Sequence, residues 1–381
     1  MSLSWKVFFS VILGKSVNGY QNMNHREREL AAIRHEIPDR IPTDAICIEN
    51  IPSVARHMGI TEENVLRRLG LDGRLVGLRY LGSKCEPQTG EAVEEWGTSA
   101  FDDYGTAHRY PLARARAVAD IENHIWPDPA MYDYASAAQS ASELHEEYAV
   151  RGPYWQPLFC RVCSLVGMEQ ALVWMLAEPR LFEAVLDGVF ERTFTLCENF
   201  VRHCGAKLDI FCLGDDFASQ RGMLFDPELW RRFLKPRYAR IFDMAKSAGK
   251  HVWFHSCGDI TAVLPDLIDI GVDVWETVQL HTLPITAEEL KRQYGRHIAF
   301  FGGVSTQRLP FAEPAEVRAE VERCIRALGE GGGYICGPDH HIKPDVSAQN
   351  TVALFQAATE FSMRGYTLKG DFGPQRLRGG G

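Results

Sequence analysis

From residue 208 onward, short apolar runs alternate with longer stretches in which apolar residues recur every three or four positions. Leu208-Asp209-Ile210-Phe211-Cys212-Leu213 reads as a buried strand, because a run this apolar on both faces fits a strand covered on both sides. Asp226-Pro227-Glu228 follows as a helix start, with a side-chain acceptor ahead of a proline that has no N–H to satisfy. That helix is predicted through Trp230, Phe233, Tyr238 and Ile241 to a stop at Gly249. Further strands are predicted at 251–255, 272–275, 297–301 and 333–336. The intervening helices run over 264–270, from a capping box at Thr286 and Glu289 to Gly295, along the face Val317, Val321, Cys324 and Leu328, and over 347–361.

Five strand–helix units in succession predict a parallel sheet. No Gly-x-Gly-x-x-Gly follows a first strand, so an α/β fold of the (β/α)8 TIM-barrel type is expected rather than a dinucleotide-binding sheet. Upstream, 153–160 reads as a strand, 169–203 as helical and 40–48 as an early strand. Residues 50–150 are less regular and read as an insertion or cap, with Trp126-Pro127-Asp128-Pro129 as a turn. The expected layout is an N-terminal extension over 1–22, a single barrel domain over 23–365 and a flexible tail over 366–381. The apolar run 7–13 in the extension is too short to cross a bilayer, and no membrane attachment is expected.

Composition narrows the partners. The 41 lysines and arginines against 50 aspartates and glutamates leave a formal charge of −9, which argues against nucleic acid as a partner, since phosphate binding needs a basic face. The ten cysteines lack the dense spacing of a disulfide-stapled secreted domain, so buried thiols in a reducing cytoplasm are expected. Cys160-Arg161-Val162-Cys163, with no second pair at matching spacing, reads as structural.

In a barrel of this type the chemistry gathers at the carboxyl ends of the strands. His255-Ser256-Cys257 sits at such an end, and residues i and i+2 of an extended chain point to the same side. An imidazole and a thiolate can therefore converge on one borderline-soft cation, and zinc suits both. A third ligand must come from another strand, where Cys336 and His340-His341 are available. The plainer alternative is a buried cysteine beside a histidine in a substrate pocket. Asp216 and Glu276 are the candidate catalytic carboxyl groups, while Asp215, Gln279, Gly303 and His341 are assigned to substrate binding.

Asn24-His25-Arg26-Glu27-Arg28 leading to Pro38-Asp39-Arg40-Ile41-Pro42, Phe254-His255-Ser256-Cys257-Gly258-Asp259, Phe301-Gly302-Gly303-Val304 and Gly332-Gly333-Tyr334-Ile335 leading to Asn350 together resemble the uroporphyrinogen decarboxylase superfamily. The resemblance spans Met23 to about Phe361 and implies a (β/α)8 barrel. True uroporphyrinogen decarboxylases carry an arginine- and glycine-rich loop after the first strand that grips substrate carboxylates. Here Thr43-Asp44-Ala45-Ile46-Cys47-Ile48-Glu49-Asn50 has no arginine and two acids, which counts against porphyrinogen decarboxylation.

The cobamide-dependent methyltransferase branch is the closer match. Its zinc is held by His-x-Cys and a distant cysteine, and His255 and Cys257 match the first two. Aligning the last loop on Pro344 and Asn350 puts His340 at the third position, with Cys336 as the alternative. This implies a zinc-dependent methyltransferase acting between a methyl-corrinoid and a thiol or similar acceptor. The chain has no D-x-H-x-x-G corrinoid motif, so the corrinoid is expected on a partner protein. A homodimer is compatible with the family. The competing readings are a metal-free decarboxylase-like lyase acting on a smaller carboxylated substrate, with Arg221 or Lys343 as its cation, and a non-catalytic binding barrel.

Overall fold

The computed structural model describes residues 22–85, 90, 92–99, 109–153 and 157–363. The apolar run 7–13, nearly all of the expected extension and the tail 366–381 lie outside the described residues. Nine strands are present among the described residues: β1 (Gly73–Leu75), β2 (Ala149–Pro153), β3 (Ile210–Gly214), β4 (Ala218–Ser219), β5 (Gly222–Met223), β6 (His251–His255), β7 (Val274–Val278), β8 (Ala299–Val304) and β9 (Tyr334–Pro338). Seven form one parallel sheet in the order β1-β2-β3-β6-β7-β8-β9, and β4 and β5 make a small antiparallel pair in the loop after β3.

The sheet is buried on both faces. Along β3, Ile210 and Cys212 point to an inner core shared with Trp253, Val274, Ala299, Phe301 and Ile335. Phe211 and Leu213 alternate to the outer layer, where the helices pack. Leu30, Ala32 and Ile33 of helix His25–Ile33 join the inner core, so this helix plugs the end opposite the strands' carboxyl termini. This is a TIM-barrel-like α/β fold. The strand expected at 40–48 reduces to two isolated parallel bridges, Thr43 to Cys336 and Ile48 to Ile342. The Thr43 carbonyl also accepts the Asp72 N–H at 2.7 Å just before β1, but among the described residues no continuous ladder joins β9 to β1.

Three local predictions change for identifiable reasons. Of the strand expected at 153–160, Pro153 is the last residue of β2, 154–156 lie outside the described residues, and the stretch closes in helix Phe159–Val166, where the Asp215 carboxyl group accepts the N–H groups of Phe159 and Cys160, each at 2.7 Å. Cys160 and Cys163 therefore lie on a helix. The single helix expected over 226–249 is two, Pro227–Phe233 and Lys235–Ser247, with Pro236 in the first turn of the second, where its missing N–H is harmless. The stretch 50–150 contributes β1, which at three residues is too short to show an alternating pattern. No single helix among the described residues is long and apolar enough to cross a membrane.

One buried carboxyl group ties the plugging helix to the sheet. Asp72, fully buried, is bonded by His25 at 2.8 Å, Arg28 at 2.7 Å, Arg40 at 2.8 Å and the Thr43 N–H at 2.9 Å. Arg28 and Arg40 come from the two N-terminal motifs, so those motifs act as a clamp. Removing one partner of a buried ionic cluster leaves the others unpaired, so Asp72→Asn is expected to lower stability by about 3 kcal/mol in denaturant unfolding. A loss below about 1 kcal/mol would contradict the clamp.

Candidate metal centre

His255 ends β6 between Gly214 on β3 and Glu276 on β7, its two register partners. A Cβ at position 214 would fall 2.9 Å from the His255 Cβ, so glycine there makes room for the imidazole. Nδ1 of His255 lies 2.9 Å from Glu276 Oε1, and the Trp253 indole N–H donates to Glu276 Oε2. Glu276 is buried with both oxygens engaged.

The other ring nitrogen faces the site. His255 Nε2 lies 3.5 Å from Cys257 Sγ and 3.5 Å from Asp216 Oδ1. The His340 ring stands 5.8 Å from that of His255. One ligand atom each from His255, Cys257 and His340 falls within 4.8 Å of the others. Ligands about 2.0–2.3 Å from a tetrahedral zinc stand roughly 3.5 Å apart, so the donor set and its spacing suit that ion with little movement. Beyond it toward solvent, Cys47, Glu49 and His341 form a second group of the same reach. There Glu49 accepts from Lys343 at 2.7 Å and lies 3.2 Å from His341 Nδ1, and His341 stacks on His340 at 4.7 Å.

The loop after β6 is pinned by side chains from the loops that follow β3 and β7. The Cys257 N–H donates to Asp216 Oδ1 and the Gly258 N–H to Gln279 Oε1, both at 2.8 Å. Gly258 has φ +79°, and a Cβ there would fall 2.3 Å from the Ser219 carbonyl oxygen, so the turn requires glycine. Burial works against ionisation of Asp216, and the Cys257 N–H donated to Oδ1 is among the contacts that outweigh it and hold the carboxyl group below its ordinary range. Burial and the neighbouring His255 and His341 rings push His340 down to about 4, so it is neutral, as a ligand must be, at neutral pH.

The expected residues therefore divide. Asp216, His255, Cys257, Glu276, Gln279, His340 and His341 gather at the mouth of the sheet. Asp215, expected at substrate, turns the other way, bonded by Phe159, Cys160 and the Tyr238 hydroxyl at 2.5 Å. Cys336, the alternative third ligand, is on the outer face of β9: Ile335 takes the inner position, and Cys336 packs in the outer core with Tyr334 and Cys324, its thiol pushed up to about 12 by burial. Gly303 likewise faces the Tyr334 hydroxyl and Cys324 rather than the mouth. Trp253, Cys47 and Glu49 were not anticipated; Trp253 shares the inward face of β6 with His255 by the same two-residue spacing that singled out Cys257.

Residues 112–361 match the family described as Uroporphyrinogen decarboxylase (URO-D). The chain belongs to that family. Over 352 residues it is 25% identical to the methylcobamide:CoM methyltransferase MtaA of Methanosarcina barkeri, covering 88% of this chain and 98% of that protein. Its likeness to the uroporphyrinogen decarboxylase of Pseudomonas aeruginosa is 35% but extends over 72 residues, 19% of this chain and 20% of that one. A solved methyltransferase from Methanosarcina mazei superposes with a TM-score of 0.64 at 18% identity, over 89% of this chain and 99% of that one, which supports the fold.

The His340 environment has a consequence for stability. The imidazole titrates near 6.5 in an unfolded chain and near 4 here, so between those values the unfolded chain binds more protons. Stability of the metal-free protein is expected to fall as pH drops from about 6.5 toward 4, with a shallower fall in His340→Gln, read from urea midpoints across that range. An identical slope in the variant would contradict the burial of a neutral His340.

Proposed function

We propose that this chain is a methyltransferase that holds zinc through His255, Cys257 and His340 and passes a methyl group between a corrinoid, carried by a partner protein, and a thiol or similar acceptor. The observation that carries this reading is the convergence of an imidazole, a thiol and a second imidazole within 4.8 Å at the strands' carboxyl ends, in a chain that aligns with a methylcobamide:CoM methyltransferase over nearly its whole length. When bound, zinc would lower the pKa of an acceptor thiol so that the thiolate forms near neutral pH.

The chain's own residues set up that chemistry. Glu276 orients His255 so that Nε2 faces the mouth. Asp216 stands beside the His255 and Cys257 donors, where its free capacity can orient the acceptor. Gln279 holds the loop that carries Cys257. In the transfer the acceptor sulfur loses its proton and supplies the electron pair of the new sulfur–carbon bond, while the pair of the broken cobalt–carbon bond stays with cobalt. Three neutral or singly charged donors leave a site more positive than one with two thiolates, which favours an anionic acceptor.

The lyase reading has less support. It calls for an uncommitted cation at the mouth, whereas Lys343 is paired with Glu49 and Arg221 is exposed on the turn between β4 and β5. The layout of a single barrel domain over 23–365 belongs to the same proposal.

Elemental mass spectrometry of purified protein is expected to find about one zinc per chain, lost in Cys257→Ala, with wild type alone methylating a thiol from methylcobalamin. Protein that carries no zinc and takes none up on its addition would contradict the proposal.

A further inference from the structure

Directly behind the metal centre the barrel interior holds a chain of polar contacts where apolar packing would have filled the space. Trp253 is fully buried two residues before His255, on the same inward face of β6. Its indole N–H donates to Glu276 Oε2, and Glu276 Oε1 meets His255 Nδ1 at 2.9 Å. Behind the indole, the guanidinium of Arg151 lies over the ring, 5.1 Å from its centroid. Arg151 is fixed in turn by its ion pair with Asp44 and by donation to the Ala45 carbonyl at 2.9 Å. Asp44, Arg151, Trp253, Glu276 and His255 are all buried.

An indole nitrogen donates and cannot accept. Glu276 Oε2 is therefore committed as an acceptor, and the plane of the carboxyl group is set by the ring. That leaves Oε1 to accept the proton of His255 Nδ1. With the proton on Nδ1, the Nε2 lone pair is directed toward the side where Cys257 stands. The cation over the ring face holds the indole against tilting. A buried carboxyl group and a buried indole N–H are costly unless each finds its partner, so the pair has one favourable arrangement.

We propose that Trp253 is a positioning residue that sets the tautomer and orientation of the His255 imidazole through Glu276. Its consequence for metal binding rests on the zinc reading above; the tautomer does not. Trp253→Phe keeps an aromatic ring beneath Arg151 and removes the N–H. In metal-free protein labelled with 15N-histidine, the His255 signal, identified by its absence from His255→Gln, is expected to report Nδ1–H in wild type and a tautomer mixture in Trp253→Phe. Zinc affinity, read by competition with a chromogenic chelator, is expected to fall tenfold to a hundredfold. In a Glu276→Ala background Trp253→Phe is expected to cost no further affinity, because no bond remains to transmit it.

An unmoved tautomer in Trp253→Phe, or affinity losses that multiply in the double variant, would overturn the proposal; a packing role alone would lower the urea midpoint and leave the tautomer in place. If Trp253→Phe does not fold, benzothienylalanine at 253, isosteric but lacking the N–H, gives the same readouts. Wild-type protein with the Nδ1–H tautomer that binds no zinc would leave the positioning role standing and remove the zinc reading.

Discussion

The contact between Glu276 and the His255 imidazole, 2.9 Å long and buried, is the constraint on which the mouth of this sheet depends. It requires that β6 and β7 hold a single register, with His255 opposite Glu276, because a slip of one residue would turn the slipped strand's side chain to the other face of the sheet. It requires glycine at 214, where a side chain would strike the ring. Once the imidazole is fixed, the rest of the site is brought to it by the loops. Asp216 and Gln279 each hold one N–H of the loop after β6, and the loop after β9 delivers His340. A group whose first donor stands on a strand, and whose second is tied to the loops after neighbouring strands, is stiff, which suits donors that must stay close together.

The two ends of the sheet use buried charge differently. At the plugged end, Asp72 gathers His25, Arg28 and Arg40, and every partner serves to lock the N-terminal helix beneath the sheet. At the open end, Asp216 and the His255–Cys257–His340 group keep polar atoms directed at one another and at the mouth. His25, Arg28 and Arg40 at one end, and His255 and Cys257 at the other, lie in motifs that the family resemblance picked out, whereas Asp72 and Asp216 do not. The N-terminal motifs are conspicuous for holding the fold together, and the His-Ser-Cys motif for what it can bind.

Much of this was legible in the sequence. The doubly buried strands appear as unbroken apolar runs, and the capping box at Thr286 and Glu289 and the N-cap at Asp226 are found where the pattern places them. The two-residue spacing of His255 and Cys257 foretold their shared side. What could not be read depends on contacts distant in the chain. Whether Asp215 or Asp216 faces the mouth is decided by helix Phe159–Val166, whose first N–H groups claim Asp215 from more than fifty residues away. The resemblance puts His340 ahead of Cys336, but the physical reason is visible only in the fold: strand alternation turns Cys336 into the outer core, while the loop beyond β9 brings His340 within reach of His255 and Cys257. The short strand β1 carries no period that a pattern could reveal, and only its neighbours in the sheet define it.

Whether one sulfur and two imidazoles share a zinc ion can be read from X-ray absorption at the zinc edge of the zinc-loaded protein. The account predicts one sulfur at about 2.3 Å and nitrogen or oxygen neighbours at about 2.0–2.1 Å, two of them with the outer-shell scattering of imidazole rings. A first shell with two sulfurs would place a further cysteine at the metal in place of His340, and a shell with no sulfur would remove Cys257 from it; either result would contradict the account.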